Sequence, residues 1–308
     1  VQKLSTMRIM LRGQMMSGAV RKAVIPVAGF GTRVLPATKV IPKEMLPVYD
    51  RPALQYVVDE ALAAGIEHFI FITGRNKGAI EDYFDHAYEL EDALAQKNKT
   101  ALLETLNTLR PEAGTCSFVR QQAPKGLGHA IWCARDLVGD DPFAVMLPDM
   151  IMDGATPCLK GMVDAYAGTG GNLVSVEAVP EEDVSKYGVI KPGADKGVLL
   201  EMLGMVEKPP VDQAPSNLMI SGRYILEPRI MELLGNQAPG AGGEIQLTDS
   251  METLLKARPF PAYKFEGVTY DTGSPQGYLE AFAAMALKAD HTASEAVLSG
   301  LLKGDRRV

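Results

Sequence analysis

Residues 20–48, with the sequence VRKAVIPVAGFGTRVLPATKVIPKEMLPV, restrict the possible folds more than any other part of the chain. The stretch opens with an apolar run at residues 23–28 and then breaks into a turn that contains Gly29 and Gly31. An apolar run that leads into a glycine-rich turn is how a buried strand presents backbone N–H groups to a phosphate. Glycine also lets the backbone approach a ligand closely, because it has no Cβ. The stretch therefore predicts a strand followed by an anion-binding loop.

Three cations, Arg33, Lys39 and Lys43, follow the glycines and alternate with Pro36 and Pro42. Arginine offers a planar fork that suits phosphate oxygens, whereas lysine is a mobile point charge. The simpler interpretation is a strand followed by a proline-rich surface loop with solvated cations. Because the prolines constrain the loop, we favour the interpretation that Arg33 and Lys43 bind a ligand.

The loop matches neither of the two common phosphate-binding signatures. The string GxxxxGK[ST] of the P-loop does not occur in the chain. The pair Gly29-x-Gly31 has no third glycine at the dinucleotide-binding spacing, and the prolines prevent an immediate long helix. A P-loop enzyme and a dehydrogenase are therefore disfavoured.

The composition is that of a chain with a sizeable core and a net acidic charge. It has 308 residues, of which 46% are hydrophobic, and a formal net charge of -7. An acidic chain is a poor partner for nucleic acid, so an anionic ligand has to be held by a local basic pocket. No apolar run reaches the length of a transmembrane helix. We therefore expect neither nucleic acid nor a membrane as a partner.

The cysteines and the N-terminal residues bear on localisation. Cys116, Cys133 and Cys158 have neither the even count of a disulfide framework nor the CxxC spacing of a zinc site. Unpaired thiols are typical of the reducing cytoplasm, where we expect the protein to act. Residues 1–19 are basic and lack the long apolar segment of a signal peptide. We expect them to be a disordered extension or an added leader.

Strand and helix patterns alternate beyond residue 50. Apolar residues recur at helical spacing over residues 53–64 and stop at Gly65, whereas residues 67–74 have the pattern of a buried strand. A strand, a helix and a strand within about fifty residues predict a βαβ unit and a parallel sheet. The segment at residues 88–109 is predicted to be a helical hairpin or one long helix, and a helix is predicted at residues 131–137.

The strongly apolar run at residues 143–147 predicts a central strand that ends just before Asp149. In open α/β sheets, ligands lie at the carboxyl ends of the strands. Carboxylate oxygen is also a preferred ligand of Mg²⁺. Asp149 is therefore our candidate metal ligand, although an isolated Asp in this position is usually a turn residue or a helix cap.

The stretch AGFGTRVLPATKVIPKEMLPV resembles the signature GxGTRxxPxTxxxxKxxxP of the sugar-nucleotide pyrophosphorylases. The segments LPDMIMD, PSNLMISGRYIL and PGAGGEIQLTD are also similar to that family, and the last two favour its uridylyl-transferring branch. The resemblance covers residues 20 to about 288. It implies the α/β fold of the nucleotide-diphospho-sugar transferases, a Rossmann-like three-layer sandwich with a mixed, mainly parallel sheet.

The resemblance also implies the reaction and the organisation of the chain. We expect a Mg²⁺-dependent enzyme that transfers the uridylyl group of UTP to glucose 1-phosphate, giving UDP-glucose and pyrophosphate. The sugar phosphate attacks the α-phosphorus in line, so the protein needs cations and geometry rather than a nucleophile. The catalytic domain would span residues 20–290, with the nucleotide bound by about 20–180 and the sugar by about 181–277. The tail at residues 291–308 is expected to contact another subunit of a homodimer or homotetramer.

Individual roles follow from the same resemblance. Arg33 and Lys43 would stabilise the transferring phosphoryl group, Asp149 would bind Mg²⁺, and Asp271 would be a second carboxylate on the metal. The sugar and its phosphate would contact Gly188, Glu207 and Lys208. The nucleotide would contact the glycine loop and three later segments, through Ala28, Gly29, Gly31, Thr32, Glu44, Gln121 and Gly126.

Two alternatives remain open at this point. The first is the same chemistry with thymidine nucleotides, because a pocket discriminates one methyl group only weakly. The second is a non-catalytic sugar-nucleotide-binding regulatory protein, which would keep the fold without the reactive charges. The presence of Arg33, Lys43, Asp149 and Lys208 weighs against this second alternative.

Overall fold

The computed structural model describes residues 18–304 of the chain. The predicted N-terminal extension lies almost wholly outside the described residues, and so does the end of the predicted C-terminal tail. The strands are β1 (Lys22–Pro26), β2 (Pro47–Val48), β3 (Arg51–Pro52), β4 (His68–Thr73), β5 (Cys116–Arg120), β6 (Phe143–Met146), β7 (Met150–Gly154), β8 (Leu173–Ala178), β9 (Gly188–Lys196), β10 (Leu199–Glu207), β11 (Leu218–Leu226), β12 (Ala262–Lys264) and β13 (Gly267–Asp271).

The α-helices alternate with the strands over most of the described chain. They are α1 (Ala53–Ala63), α2 (Gly78–Tyr83), α3 (Tyr88–Gln96), α4 (Thr100–Leu109), α5 (Leu127–Trp132), α6 (Arg135–Val138), α7 (Cys158–Thr169), α8 (Arg229–Asn236), α9 (Leu247–Ala257), α10 (Pro275–Ala289) and α11 (His291–Lys303). Within residues 18–304, no helix has both the length and the apolar character needed to cross a membrane.

Nine of the strands in the described part of the chain form one sheet, in the order β5-β4-β1-β6-β11-β8-β12-β10-β9. The pairs β5–β4, β4–β1, β1–β6 and β8–β12 are parallel, whereas β11 and β10 run antiparallel to their neighbours. Within this sheet, the strands other than β11 and β10 therefore point in the same direction. The predicted mixed, mainly parallel sheet is confirmed.

Helices cover both faces of the sheet, because strand residues alternate between two apolar cores. In β4, Ile70 and Ile72 belong to the core formed with α5, α8 and α9, whereas Phe69 and Phe71 belong to the core formed with α1, α2 and α7. All four side chains are at most 1% exposed. Burial of such a side chain contributes about 1.5–3 kcal/mol, so both layers stabilise the sheet substantially. The predicted three-layer sandwich is confirmed.

A separate two-stranded ribbon, β7 with β13, positions part of the site. In its antiparallel register, Asp271 at the end of β13 lies opposite Met150, the residue that follows Asp149. The ribbon packs against α10 and the β2–β3 hairpin in a small third core that includes Val48, Ile151 and Met285. The ribbon thus brings together two carboxylates that are far apart in sequence.

Most predicted elements are confirmed, with one correction near the glycine-rich loop. The segment at residues 88–109 is a hairpin of α3 and α4, and Gly65, with a φ of 86°, directly follows the end of α1. The helix predicted at residues 131–137 is instead two short helices, α5 from Leu127 to Trp132 and α6 from Arg135 to Val138. Gly126, with a φ of 98°, ends the loop that precedes α5. Gly128 fits in the first turn of α5 because its missing Cβ leaves room for Ile245.

Candidate active site

Asp149 lies where the central strand β6 leaves the sheet. All four residues of β6 are fully buried between β1 and β11. The backbone N–H of Leu147 then donates to Gly222 O at 2.9 Å. The carbonyl of Asp149 accepts from the N–H of Thr272 at 2.8 Å and from its Oγ1 hydroxyl at 3.0 Å. The Asp149 side chain is held at the carboxyl edge of the sheet with 13% of its surface exposed.

Two cations and two carboxylates converge at this edge. Lys43 Nζ lies 2.5 Å from Asp149 Oδ2, and the Arg33 guanidinium lies 3.3 Å from Asp271 Oδ2 and 3.7 Å from Asp149 Oδ2. Burial would raise the pKa of Asp149, but the charge and hydrogen bond of Lys43 outweigh it, so the pKa is lowered from its ordinary value. Burial would lower the pKa of Lys43, but Asp149 outweighs it and the pKa is raised. Both members of this pair are therefore charged at neutral pH.

Gly273 leaves the space between the two carboxylates open. A Cβ on Gly273 would stand 2.8 Å from Asp271 Oδ1, 2.9 Å from Asp149 Oδ2 and 2.4 Å from Arg33 Nη2. Any side chain at this position would collide with all three groups. Sequence reasoning did not single out Gly273, although a glycine two residues after a candidate ligand is a usable signal.

A cavity of about 370 Å³ opens beside the first glycine loop. Its lining includes most of the residues predicted to contact the nucleotide, namely Ala28, Gly29, Glu44, Gln121 and Gly126, together with the predicted catalytic residues Lys43 and Asp149. Gly31 and Thr32 do not line it. Gly31, with a φ of 67°, begins the short turn Thr32–Val34 that carries Arg33. The predicted nucleotide contacts are thus brought together, except for these two residues, which shape the loop.

Glu44 is buried at the wall of this cavity together with a cation that sequence analysis missed. Glu44 is 1% exposed, and its Oε2 accepts from Lys77 Nζ at 2.8 Å. Its Oε1 has no hydrogen-bond partner among the described residues. Burial raises the pKa of Glu44, and Lys77 offsets part of this effect. Lys77 comes from the turn after β4, and no local pattern links it to Glu44.

The side-chain amide of Gln121 has one orientation in this cavity. Its Nε2 donates to Gly126 O at 3.1 Å and lies 3.1 Å from His129 Nδ1. Because a carbonyl only accepts, the amide nitrogen faces Gly126 and Oε1 remains as the acceptor of the side chain. Burial, together with Lys125 and Arg135, lowers the pKa of His129, which favours a neutral ring that accepts from Gln121.

A second cavity, of about 490 Å³, lies on the other side of Asp149. It contains the predicted sugar contacts Gly188, Glu207 and Lys208, together with Arg33 and Asp271. Other lining residues, which sequence reasoning did not identify, include Lys186, Tyr187, Glu244 and Thr248.

Glu207 is oriented inside the second cavity, whereas Lys208 is exposed. Glu207 Oε2 accepts from Thr248 Oγ1 at 2.8 Å, and a Cβ on Gly188 would stand 3.1 Å from the same oxygen. Lys208 has 61% of its side chain exposed, and its Nζ lies 3.5 Å from Glu207 Oε1. Its φ of 45° is left-handed, which is strained for a residue other than glycine.

The two cavities are contiguous, since both are lined by Leu127, Leu147, Asp149 and Glu244. Among residues 18–304 there is no cluster of three or more His, Cys, Asp or Glu side chains that could hold a metal ion. Asp149 and Asp271 would therefore supply only part of a coordination sphere. The arrangement can hold two anionic ligands end to end, with their charges meeting beside Arg33 and Lys43.

The sequence matches a known family over most of its length. A family model described as "Nucleotidyl transferase" matches residues 22–288. The chain is 47% identical over 285 residues to the UTP--glucose-1-phosphate uridylyltransferase of Bacillus subtilis (strain 168). This alignment covers 92% of this chain and 97% of that protein.

Solved structures agree with these matches. A UDP-glucose pyrophosphorylase complexed with UDP-glucose is 44% identical, with a TM-score of 0.80 over 87% of this chain and 99% of that chain. A UTP-bound UGPase from Acinetobacter baumannii is also 44% identical, with a TM-score of 0.84 over 91% of this chain and 99% of that chain.

Proposed function

The chain belongs to the nucleotidyl transferase family, and from this premise we propose that it transfers the uridylyl group of UTP to glucose 1-phosphate. The products are UDP-glucose and pyrophosphate. One observation carries the proposal: the cavity that contains Gln121 and the cavity that contains Lys208 meet at Asp149, beside Arg33 and Lys43. A donor nucleotide and an acceptor phosphate placed in these cavities would touch where the cations lie.

The reaction requires stabilisation of the phosphate charges rather than a protein nucleophile. An oxygen of the sugar phosphate forms a bond to the α-phosphorus of UTP, the bond from that phosphorus to the β-phosphate oxygen breaks, and pyrophosphate leaves with the electron pair. Fixed cations and in-line placement are the means by which proteins accelerate such displacements. We assign Arg33 and Lys43 to the phosphates of UTP, because both lie at the junction of the cavities.

We assign the uracil to the cavity that contains Ala28, Gly29, Glu44, Gln121 and Gly126. The free Oε1 of Gln121 can accept from the N3–H of uracil. Cytosine carries an acceptor at N3, so it would leave two acceptors facing each other, which is costly in a buried site. Thymine presents the same N3–H, so Gln121 alone does not distinguish UTP from dTTP.

We assign the glucose and its phosphate to the second cavity. Glu207, oriented by Thr248, would accept hydrogen bonds from sugar hydroxyls, and Gly188 would let the sugar approach the backbone. Lys208 would hold the sugar phosphate. The division of the chain into a nucleotide part at residues 20–180 and a sugar part at residues 181–277 is part of this proposal.

Asp149 and Asp271 would hold a Mg²⁺ ion together with substrate phosphate oxygens and water. The fit is supported by Gly273, which keeps the space between the carboxylates open where a Cβ would fill it. Mg²⁺ typically binds one or two carboxylates and completes its octahedron with waters and phosphates. The ion would supply Lewis-acid stabilisation of phosphate charge. Arg33 and Lys43, now paired with these carboxylates, could then turn to the substrate phosphates.

We also propose that α11 is an oligomer contact of a homodimer or homotetramer. Its apolar side chains are uncovered, with Val297 52%, Leu301 71% and Leu302 90% exposed. The three free cysteines support a cytoplasmic location.

Pyrophosphate release tests the proposed reaction. UTP, dTTP, ATP, CTP and GTP would each be incubated with glucose 1-phosphate, with and without Mg²⁺. We expect metal-dependent turnover that favours UTP. Turnover that favours dTTP would support the thymidylyl alternative. Tight binding of UDP-glucose without turnover of any pair would identify a non-catalytic binding protein.

A further inference from the structure

A completely buried arginine lies behind the loop that carries Asp149. Arg223, in β11, is 0% exposed, and its guanidinium contacts the Glu60 carboxylate through Nε at 3.1 Å and Nη2 at 2.7 Å. Removing two charges from water is expensive, and an apolar pair of similar volume is often as stable or more so. Stability alone therefore does not explain this pair.

The remaining donors of Arg223 hold the backbone on both sides of Asp149. Nη1 donates to Leu147 O at 3.1 Å, and Nη2 donates to Met150 O at 2.8 Å. The Leu147 N–H is bound by Gly222 O, and the Asp149 carbonyl is bound by Thr272. Of the four carbonyls at residues 147–150, two are thus held by one guanidinium, and the backbone can turn only if these bonds break.

We propose that Arg223 is a positioning residue for Asp149: its guanidinium, oriented by Glu60, fixes the backbone of residues 147–150 and so directs the Asp149 carboxylate toward Asp271 and Lys43. Glu60 is itself fixed, because its Oε1 accepts from the Leu159 N–H at 2.9 Å in the first turn of α7. Lysine could not replace arginine, since only the planar fork reaches the carboxylate and two carbonyls at once. The inference rests on the proposed function only in taking Asp149 to be the metal ligand.

The main test compares Arg223→Lys with wild type. The first readout is the affinity for Mn²⁺ of protein saturated with UDP-glucose, followed by the electron paramagnetic resonance of free Mn²⁺. The second is amide hydrogen exchange at residues 147–152 in protein without ligand. Loss of a group that orients a metal ligand typically weakens metal binding about 10–100-fold, and we expect a loss in that range. UDP-glucose affinity without metal should stay within about twofold of wild type, because those contacts are remote from the guanidinium.

A matched control separates positioning from general destabilisation. Leu254→Ala removes a core side chain that is 3% exposed in α9, a helix that packs against α5, α8 and β10. This variant should lose thermal stability but keep wild-type Mn²⁺ affinity and wild-type exchange at residues 147–152.

A second variant covers the case in which Arg223→Lys does not fold. The double variant Glu60→Leu with Arg223→Met replaces the buried ion pair by apolar side chains, which proteins often tolerate. It should fold, exchange faster at residues 147–152 and bind Mn²⁺ more weakly. Wild-type Mn²⁺ affinity and wild-type exchange in either folded variant would overturn the positioning role.

The exchange measurement also separates this inference from the proposed function. Faster exchange in Arg223→Lys, with no turnover by wild type, would refute the reaction and support the positioning role. Normal turnover by wild type, with unchanged exchange and Mn²⁺ affinity in the variants, would refute the positioning role alone.

Discussion

The cavity assigned to the nucleotide and the cavity assigned to the sugar are built in different ways. Lys43 in the first has 16% of its side chain exposed and lies 2.5 Å from Asp149, whereas Lys208 in the second is 61% exposed and lies 3.5 Å from the adjacent Glu207. Exposed pairs of the latter kind contribute at most about 1 kcal/mol, so they hold a side chain only weakly.

Fixed polar groups occur in both cavities, so the difference concerns the cations. Gln121 and Glu44 are held by Gly126 and Lys77, at 3.1 Å and 2.8 Å, before any ligand is bound. In the second cavity Glu207 is held by Thr248 at 2.8 Å, whereas Lys208 extends from a left-handed backbone with a φ of 45° to a 3.5 Å contact with Glu207. Lys43 is therefore held in place before a ligand binds, whereas Lys208, in its proposed role, would be ordered by the phosphate. Four experiments test this contrast.

Lys43→Ala should have the largest effect. It removes a prearranged cation from the junction, and we expect kcat to fall by about a hundredfold to a thousandfold, as for loss of one preorganised stabilising group. Steady-state kinetics with UTP and glucose 1-phosphate would measure this. Lys39→Ala is the matched control, because Lys39 is on the same loop but lines neither cavity, and its kcat should be nearly unchanged. Equal effects of the two substitutions would contradict the role of Lys43.

Lys208→Ala should affect one substrate only. We expect kcat/KM for glucose 1-phosphate to fall by about tenfold to a hundredfold, because a charge-assisted contact is lost. The affinity for UTP, measured by calorimetry, should remain that of wild type. A comparable loss of UTP affinity would show that the two cavities are not functionally separate.

Gly126→Ala should weaken UTP binding by roughly tenfold. A Cβ at this position would stand 2.8 Å from Ile245 O and from Glu244 Cβ, so the loop that fixes Gln121 would have to move. About 1.4 kcal/mol of strain suffices for that factor. Gly139→Ala is the matched control, since it also has a positive φ, of 62°, but open space around its Cβ. An equal decrease in UTP affinity in both variants would show that backbone strain, and not displacement of the loop that fixes Gln121, causes the decrease.

The smallest of the four expected effects concerns the pH dependence of stability and is measured with Asp149→Asn. The pKa of Asp149 in the folded protein is lowered from the ordinary value of 3.8. The unfolded chain therefore binds more protons in this range, and the stabilising contribution of the carboxylate is complete above pH 3.8 and lost as the pH falls further. The difference in unfolding free energy between wild type and Asp149→Asn should be constant from neutral to mildly acidic pH and change only below this value. Urea titrations at a series of pH values would measure it, and a difference that changes near neutral pH would contradict the assigned pKa.

Sequence patterns that lie within one segment were sufficient to predict the family and much of the fold. The apolar run before Gly29 and the one before Asp149 each identified a buried strand and the turn after it. Parallel strands leave the sheet at the same edge, and the structure shows that the two turns meet there. The assigned roles of the individual site residues remain predictions.

Contacts between distant segments could not be predicted in the same way. Asp271 meets Asp149 because β13 pairs with β7, and no local periodicity specifies that register. The pairs Glu44–Lys77 and Glu60–Arg223 join charged residues from different segments, and in the sequence each of them resembles an ordinary surface charge. Tertiary packing alone selects these partners, which is why sequence reasoning missed Lys77 and Arg223.

The position of β11 has a consequence for biosynthesis. This strand lies between β6 and β8 in the sheet but is translated after both of them. While the ribosome is still making the intervening residues, β6 has an unpaired apolar edge, which is the kind of surface that promotes aggregation. The nucleotide part and the sugar part of the chain therefore cannot fold one after the other as independent units. A nascent chain that stops short of Leu226 should depend on chaperones to remain folding-competent.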